Sequence, residues 1–171
     1  LAARELQLQQ ILDTSSVGIF MVDMNGLITH ANRSMQDMFR WPAGELVGQE
    51  YVALVEPSQR GVGRRMMLEL LGGTVDATDV QRRYRRADGT EFWGHLTGRR
   101  FLDIHGQSQG LVGVVVDITE KVWAQQRQQQ HNEVMQLLLE KAPMAVALNT
   151  MVRNVEAINP VMLCSILLLD A

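Results

Sequence analysis

The sequence predicts an α+β fold in which helices pack on one face of an antiparallel sheet. Three observations lead to this fold class. Two short apolar runs flank an Asn-Gly pair near the amino end, and the next stretch has helical periodicity. From Thr74 the apolar pattern changes to a period of two. The predicted order is therefore two strands, three helices and three strands.

The amino-terminal part is predicted to contain a helix and a hairpin. Residues 1–12 place their leucines and Ile11 on one helical face. The runs "VGIFMVD" and "GLITHAN" then form two strands around Asn25-Gly26. Because type I′ turns need positive φ at both central residues, this pair favours such a hairpin.

Three helices are predicted next. Asn32 is a candidate N-cap for the first, which places its apolar residues at helical spacing. The stretch "WPAGELVG", residues 41–48, predicts a second short helix between a proline and a glycine. The third runs from Glu56 to Leu71, and its inner stripe comprises Val62, Met66, Met67, Leu70 and Leu71.

The second half contains three predicted strands and a helical tail. The strands are "TVDATDVQRRYRR", "TEFWGHLTGRRFLD" and "GLVGVVVDIT", joined by Asp88-Gly89 and by "HGQSQG". A helix follows from Lys121 to about Lys141. After Pro143 come a further amphipathic helix and the apolar, strand-like run "VMLCSILLLD".

Composition excludes several classes of function. Of 171 residues, 46% are hydrophobic and 20% are charged, as is usual for a soluble globular protein. A net charge of −3 gives no electrostatic case for binding nucleic acid or an anionic membrane. The single cysteine, Cys164, indicates a reducing cytoplasmic environment. No apolar run is long enough to span a bilayer.

No catalytic motif is evident. The chain lacks GxSxG, a P-loop, HExxH and CxxC, so we expect neither an enzyme nor a metal site in this segment. The arginine-rich stretch "QRRYRRADG" places Arg82, Tyr84 and Arg86 on one face of a strand. We expect a solvated strand whose arginines pair with carboxylates such as Glu91 and Asp117.

Three stretches together resemble the PAS sensor fold over residues 14 to 120. They are "GIFMVDMNGLITHANRSMQDMFRWPAGELVGQ", "YRRADGTEFW" and "GVVVDITE". The tail "LEKAPMAVALNTMVRNVEAINPVMLCSILLLD" looks like the start of a GAF domain. The resemblance implies an N-terminal helix, a PAS domain, a helical linker and a truncated GAF-like start, at residues 1–12, 13–120, 121–141 and 142–171.

The resemblance implies a five-stranded antiparallel sheet and a non-catalytic sensory role in a cytoplasmic signalling protein. Outputs typical of such proteins are cyclic-di-GMP turnover and the histidine kinases of two-component systems. It also makes "DIT" the hinge between the last strand and the linker helix. There Asp117 is expected to pair with Arg86 or Arg85, and the hydroxyl of Thr119 to cap the outgoing helix.

The PAS resemblance places a pocket between the inner sheet face and the helices. Two inward glycines, Gly94 and Gly98, leave room there. We expect a small apolar ligand or none, and no tightly bound cofactor. The candidate lining residues are Asn32, Met38, Phe39, Val62, Met66, Gly94, Leu96 and Val115.

Haem and flavin remain alternatives. The position of the proximal histidine in PAS haem sensors falls on Val62, and the long helix contains no histidine. The photoadduct cysteine of light-sensing PAS domains has no counterpart, because Cys164 lies outside the PAS span. Their flavin-binding Gln and Asn positions fall on Val115 and Gly94. A redox sensor and a ligand-free interaction scaffold are therefore the rival hypotheses.

The outer sheet face is a candidate interface. Trp93, His95 and Thr97 alternate with the inward set, and Val114 or Val116 lies beside them. Such apolar patches usually mark contact surfaces. We expect a parallel homodimer formed by the N-terminal helix, this sheet face and the linker helix.

Overall fold

The computed structural model describes residues 16–139, 144–158 and 163–166. The chain divides into two compact units, with the boundary between Thr119 and Glu120. The helix predicted over residues 1–12 lies outside the described residues.

Five strands form one antiparallel sheet in the order β2-β1-β5-β4-β3. This confirms the predicted α+β class and the five-stranded sheet. The last strand is central, paired with β1 on one side and β4 on the other. Its long apolar run follows from that position, because a central strand covered by helices meets little water. The strands are β1 (Gly18–Val22), β2 (Ile28–Ala31), β3 (Ala77–Arg85), β4 (Glu91–Leu102) and β5 (Ser108–Asp117).

The three hairpins close with the same kind of turn. In each, a glycine N–H donates to the carbonyl oxygen three residues earlier, and that glycine has positive φ. The hairpin at Asn25-Gly26 is therefore confirmed, but the type I′ turn was wrong. Gly26 has φ +82°, whereas Asn25 is not among the residues with positive φ. The pattern matches the three-residue loop that ends in a left-handed glycine.

Two helices of the first unit cover the sheet: α1 (Arg33–Phe39) and α2 (Arg60–Leu71). Asn32 caps α1 as predicted, its Oδ1 accepting from Met35 N at 3.0 Å. Short 3₁₀ turns span Tyr51–Leu54 and Pro57–Gln59. The helix predicted over residues 41–48 was wrong. That stretch forms turns, because Gly44 and Gly48 adopt φ of +84° and +90°.

The hydrophobic core lies between the inner sheet face and these helical segments. Its fully buried members include Phe39, Tyr84 and Val115. Val62 was wrongly placed on the inner stripe of the long helix. Its side chain is 56% exposed, whereas Met67 and Leu70 on the same helix are buried.

Helix α3 (Thr119–Leu139) begins at the last residue of the first unit and continues in the second, which also contains α4 (Met144–Ile158). Both agree with the predicted helices, although the predicted end of the linker near Lys141 lies outside the described residues. The predicted strand "VMLCSILLLD" is described only for residues 163–166, which have no regular structure.

Candidate functional site

The first candidate site is the point where the sheet ends. Arg86, one residue beyond β3, donates from Nη2 to Asp117 Oδ2 at 2.8 Å. Its Nε donates to the carbonyl oxygen of Met38 at 2.8 Å, and its guanidinium carbon lies 4.4 Å from the centroid of the Phe92 ring. Of the two arginines considered for Asp117, the structure brings Arg86 to it; Arg85 is exposed.

The exit from β5 is held by three further hydrogen bonds. Asp117 Oδ1 accepts from Thr119 N at 2.9 Å. Trp93 N donates to Thr119 Oγ1 at 3.0 Å, and Ile118 N donates to the Trp93 carbonyl oxygen at 2.8 Å. The expectation that the Thr119 hydroxyl caps the outgoing helix was wrong. That hydroxyl bonds to β4, and the carboxylate of Asp117 satisfies the first helical N–H instead.

The inner sheet face is largely filled by aromatic side chains. Phe39 contacts Tyr84 and Phe92 edge to face, with ring centroids 5.4 and 5.0 Å apart. Gly94 does not leave room as expected, because the Tyr84 ring lies over it. A Cβ built on Gly94 would come within 2.6 Å of that ring. The Tyr84 ring therefore leaves space only for a glycine at position 94.

The predicted lining residues divide into three groups. Met66 and Leu96 line a cavity beneath α2. Phe39 and Val115 are fully buried in the core, and Met38 is half-buried. Asn32, Gly94 and Val62 do not serve as lining: the first is used by hydrogen bonds to Ile19, Met35 and Val17, the second is covered, and the third is exposed.

The cavity has a volume of about 30 Å³ and a mostly apolar wall. Two polar groups that sequence reasoning missed reach it. Arg82 is only 7% exposed, and Thr78 Oγ1 is buried with no hydrogen-bond partner. The lining comprises Phe20, Val22, Tyr51, Gly63, Met66, Met67, Thr78, Arg82, Leu96, Leu111 and Gly113.

Arg82 was expected on a solvated strand, and that expectation was wrong. Strand alternation places it on the same face as the fully buried Tyr84, so it points beneath α2. The signal was present in the alternation, but the charge favoured a solvated position. Arg83, the outward neighbour, does pair with Glu91 at 3.4 Å.

A buried tyrosine pair lies next to Arg82. Tyr51 and Tyr84 share a hydrogen bond of 2.7 Å between their hydroxyl oxygens. Burial raises the pKa of Tyr51, against an opposing effect of the Arg82 charge. Burial raises the pKa of Tyr84 as well. Both hydroxyls are therefore protonated at neutral pH, and one of them donates to the other.

The cavity does not fit haem or flavin. Pockets for ligands of that class have volumes of roughly 300–1,000 Å³, far above the 30 Å³ between α2 and the sheet. Across residues 16–139, 144–158 and 163–166, no cluster of three metal-ligating side chains occurs.

The outer sheet face is semi-exposed. Trp93, His95 and Val114 are half-buried, and Thr97 is exposed. His95 Nε2 lies 2.6 Å from Asp79 Oδ1 on the neighbouring strand. The N-terminal helix that was expected to cover this face lies outside the described residues, so the predicted dimer contact stays a prediction.

A family model described as the PAS fold matches residues 6–118. A curated relative, the bacterioopsin transcriptional activator of Halobacterium salinarum, is 27% identical over 136 residues, which cover 78% of this chain and 20% of that protein. The chain therefore spans about a fifth of that relative's length.

Two solved structures share the fold at low sequence identity. The PAS domain of a protein from Colwellia psychrerythraea superposes with a TM-score of 0.62 at 18% identity, covering 68% of this chain and 98% of that one. An RNA-binding light-oxygen-voltage receptor gives 0.62 at 22% identity, covering 77% and 38%. Among the helices that the structure describes, none has both the length and the apolar character needed to cross a membrane.

Proposed function

This chain belongs to the PAS fold family, and from that premise we propose that it relays a signal from the inner face of its sheet into α3. Residues Arg86, Asp117 and Thr119 form the hinge of this relay. PAS domains are sensory modules and are generally non-catalytic, which supports a sensory rather than an enzymatic role for this segment.

The observation on which the proposal rests is the double use of the Asp117 carboxylate. One oxygen accepts from Arg86, which belongs to the sheet and contacts α1 through Met38. The other accepts from the N–H of Thr119, the first residue of α3. Because one rigid group makes both bonds, a displacement of Arg86 changes the hydrogen bonding of the helix start.

The sheet register connects this hinge with the cavity. Arg82 on β3 pairs with Gly94 on β4, and Gly94 pairs with Asp117 on β5. The three residues therefore lie in one row across the sheet. A ligand that moves Arg82 would act on the strand row that ends at the hinge carboxylate. This row is the route that we propose for the signal.

We propose further that α3 leads to a GAF-like domain and an output domain in a cytoplasmic protein. The amphipathic helix α4 and the sequence of residues 142–171 support the first part. The curated relative is a transcriptional activator. A transcriptional output therefore joins cyclic-di-GMP turnover and histidine kinase activity as candidates. The single cysteine, Cys164, supports the location.

The test is amide hydrogen exchange in the 171-residue chain. Arg86→Gln removes the charge that holds Asp117, and Arg85→Gln removes the same charge from an exposed neighbour on the strand. We expect faster exchange at Thr119 and in the first turn of α3 for Arg86→Gln alone. Equal amide exchange at Thr119 and in the first turn of α3 in both variants would contradict the relay and favour an interaction scaffold.

A further inference from the structure

Arg82 is a buried cation that has no carboxylate partner among the residues that the structure describes. Its side chain is 7% exposed. In the described part of the chain, the ion pairs of arginines involve other residues: Arg33, Arg40, Arg64, Arg83, Arg86 and Arg100. The Arg82 Nη2 hydrogen bond goes instead to the thioether of Met66, at 3.2 Å. A thioether is a weak acceptor, and a buried charge is costly unless it is paired.

Further donors face the same space. Thr78 lines the cavity, and its Oγ1 is buried with no hydrogen-bond partner among the described residues. Tyr51 also lines it, and one hydroxyl of the Tyr51–Tyr84 pair must donate to the other. In the described part of the chain, the hydrogen of the second hydroxyl has no further acceptor. No aspartate or glutamate is among the lining residues that the structure describes. The cavity thus offers donors and a positive charge but no anionic acceptor.

The size and walls of the cavity limit what can enter. A water molecule needs about 10–15 Å³ of such space, so 30 Å³ holds two or three water-sized groups. Phe20, Val22 and Leu111 supply an apolar wall. Met66 and Met67, whose side chains are flexible, allow modest expansion. The fitting chemistry is a small anion with a short apolar end.

We propose that the cavity beneath α2 binds a short-chain carboxylate of the size of formate or acetate, with Arg82 as its counter-ion. A guanidinium presents parallel N–H groups that match the two oxygens of a carboxylate. The carboxylate replaces the Met66 sulfur as acceptor, and the methyl group of acetate contacts the apolar wall. This replaces the apolar ligand that the sequence predicted.

The inference rests on the proposed function, since it names the ligand of the proposed relay. Arg82 stands in the sheet row that ends at Asp117. Binding of the carboxylate is therefore expected to alter the hinge as well.

The experiment is a titration of the 171-residue chain with sodium acetate, followed by ¹⁵N chemical shifts. The buffer is HEPES without chloride. Acetamide, which has the same shape without the charge, is the neutral control, and sodium nitrate tests for binding of any small planar anion. We expect saturable shifts at Gly63, Met66 and Arg82 with acetate and none with acetamide. Equal binding of acetamide, or of nitrate and acetate, overturns the carboxylate assignment.

Arg82→Gln is the matched variant, with Arg85→Gln as its control on the outward face of the same strand. We expect acetate affinity to fall about tenfold to a hundredfold in the first and to stay unchanged in the second. Unchanged affinity in Arg82→Gln overturns the proposal. If Arg82→Gln does not fold, the acetate and acetamide titrations of the unaltered chain still decide.

The two proposals fail in different ways. Saturable acetate binding that leaves Thr119 exchange unchanged supports the carboxylate site and contradicts the relay. Absence of acetate binding in a chain whose Arg86→Gln variant still alters α3 overturns the carboxylate site and leaves the relay standing.

Discussion

Arg86 reaches across β4 to Asp117 and joins the ends of two strands that are not neighbours. Its Nη2 lies 2.8 Å from Asp117 Oδ2, and the two side chains are 16% and 33% exposed. The Arg86 guanidinium also lies over the ring of Phe92 on β4. One side chain therefore connects α1, β4 and the end of β5 at the start of α3.

The Arg86–Asp117 pair is expected to stabilise the fold. In Asp117→Asn the side chain can still accept from Thr119 N but loses its charge. Because the pair is partly buried, we expect a loss of about 1–2 kcal/mol in the free energy of unfolding, measured in urea. Asp37→Asn, which breaks the exposed pair with Arg33, is expected to cost under about 0.5 kcal/mol. Equal effects of the two substitutions would contradict a structural role for the hinge pair.

Gly94 is expected to tolerate no side chain. Its added Cβ would come within 2.6 Å of the Tyr84 ring and 3.1 Å of Val115 Cγ1. We expect Gly94→Ala to destabilise the protein by about 1–3 kcal/mol through overpacking. Gly61→Ala is the control, since that glycine lies on α2 in open space. It should stabilise the helix by about 0.5–1 kcal/mol. A neutral Gly94→Ala would mean that the aromatic cluster moves aside.

Two aspartates in the hairpin turns, Asp23 and Asp103, are expected to make the free energy of unfolding decrease at low pH. The backbone N–H of Leu27 lowers the pKa of Asp23, and that of Gln107 lowers the pKa of Asp103. A carboxyl with a lowered pKa in the folded state adds stability above its unfolded value of about 3.9. That stability is lost as the pH falls further.

The measurement is the urea midpoint at pH 6 and pH 3. The double variant Asp23→Asn with Asp103→Asn should lose less stability on acidification than the unaltered chain. Asp37→Asn is the control and should behave as the unaltered chain does. If all three proteins lost the same stability between pH 6 and pH 3, groups other than Asp23 and Asp103 would cause that loss.

The predicted homodimer can be tested by measuring the mass of the protein in solution with light scattering. We expect a mass twice the 19.2 kDa of the chain. Thr97→Glu places a charge on the outer face of β4 and should shift the protein towards the monomer. Gln59→Glu adds the same charge in the 3₁₀ turn and should not. A monomeric mass for the unaltered chain would contradict the predicted interface.

The five strands along the chain and their hairpins could be predicted from the sequence because their signals are local. Alternation from Thr74 and the glycines at three turns are enough for a sheet of this kind. The turn type was missed, since Asn25 adopts ordinary backbone angles as readily as left-handed ones. The helix over residues 41–48 failed for a similar reason, because its glycines take positive φ.

The site was harder to predict because it depends on tertiary packing. Alternation placed Arg82 on the same strand face as Tyr84, but whether an arginine there is covered depends on α2, whose Met66 lies 16 residues away along the chain. The covering of Gly94 by Tyr84 likewise depends on the register between β3 and β4. The hydrogen bond from Trp93 N to Thr119 Oγ1 joins β4 to the first residue of α3, and no local pattern indicates it.

The most direct test of the relay is NMR relaxation dispersion at the amides of Trp93 and Thr119. These two residues share the hydrogen bond from Trp93 N to Thr119 Oγ1. A hinge with two states predicts exchange on the microsecond-to-millisecond timescale, with one common rate at both amides and altered populations in Arg86→Gln. Flat profiles at both amides, in the unaltered chain and in Arg86→Gln alike, would contradict it.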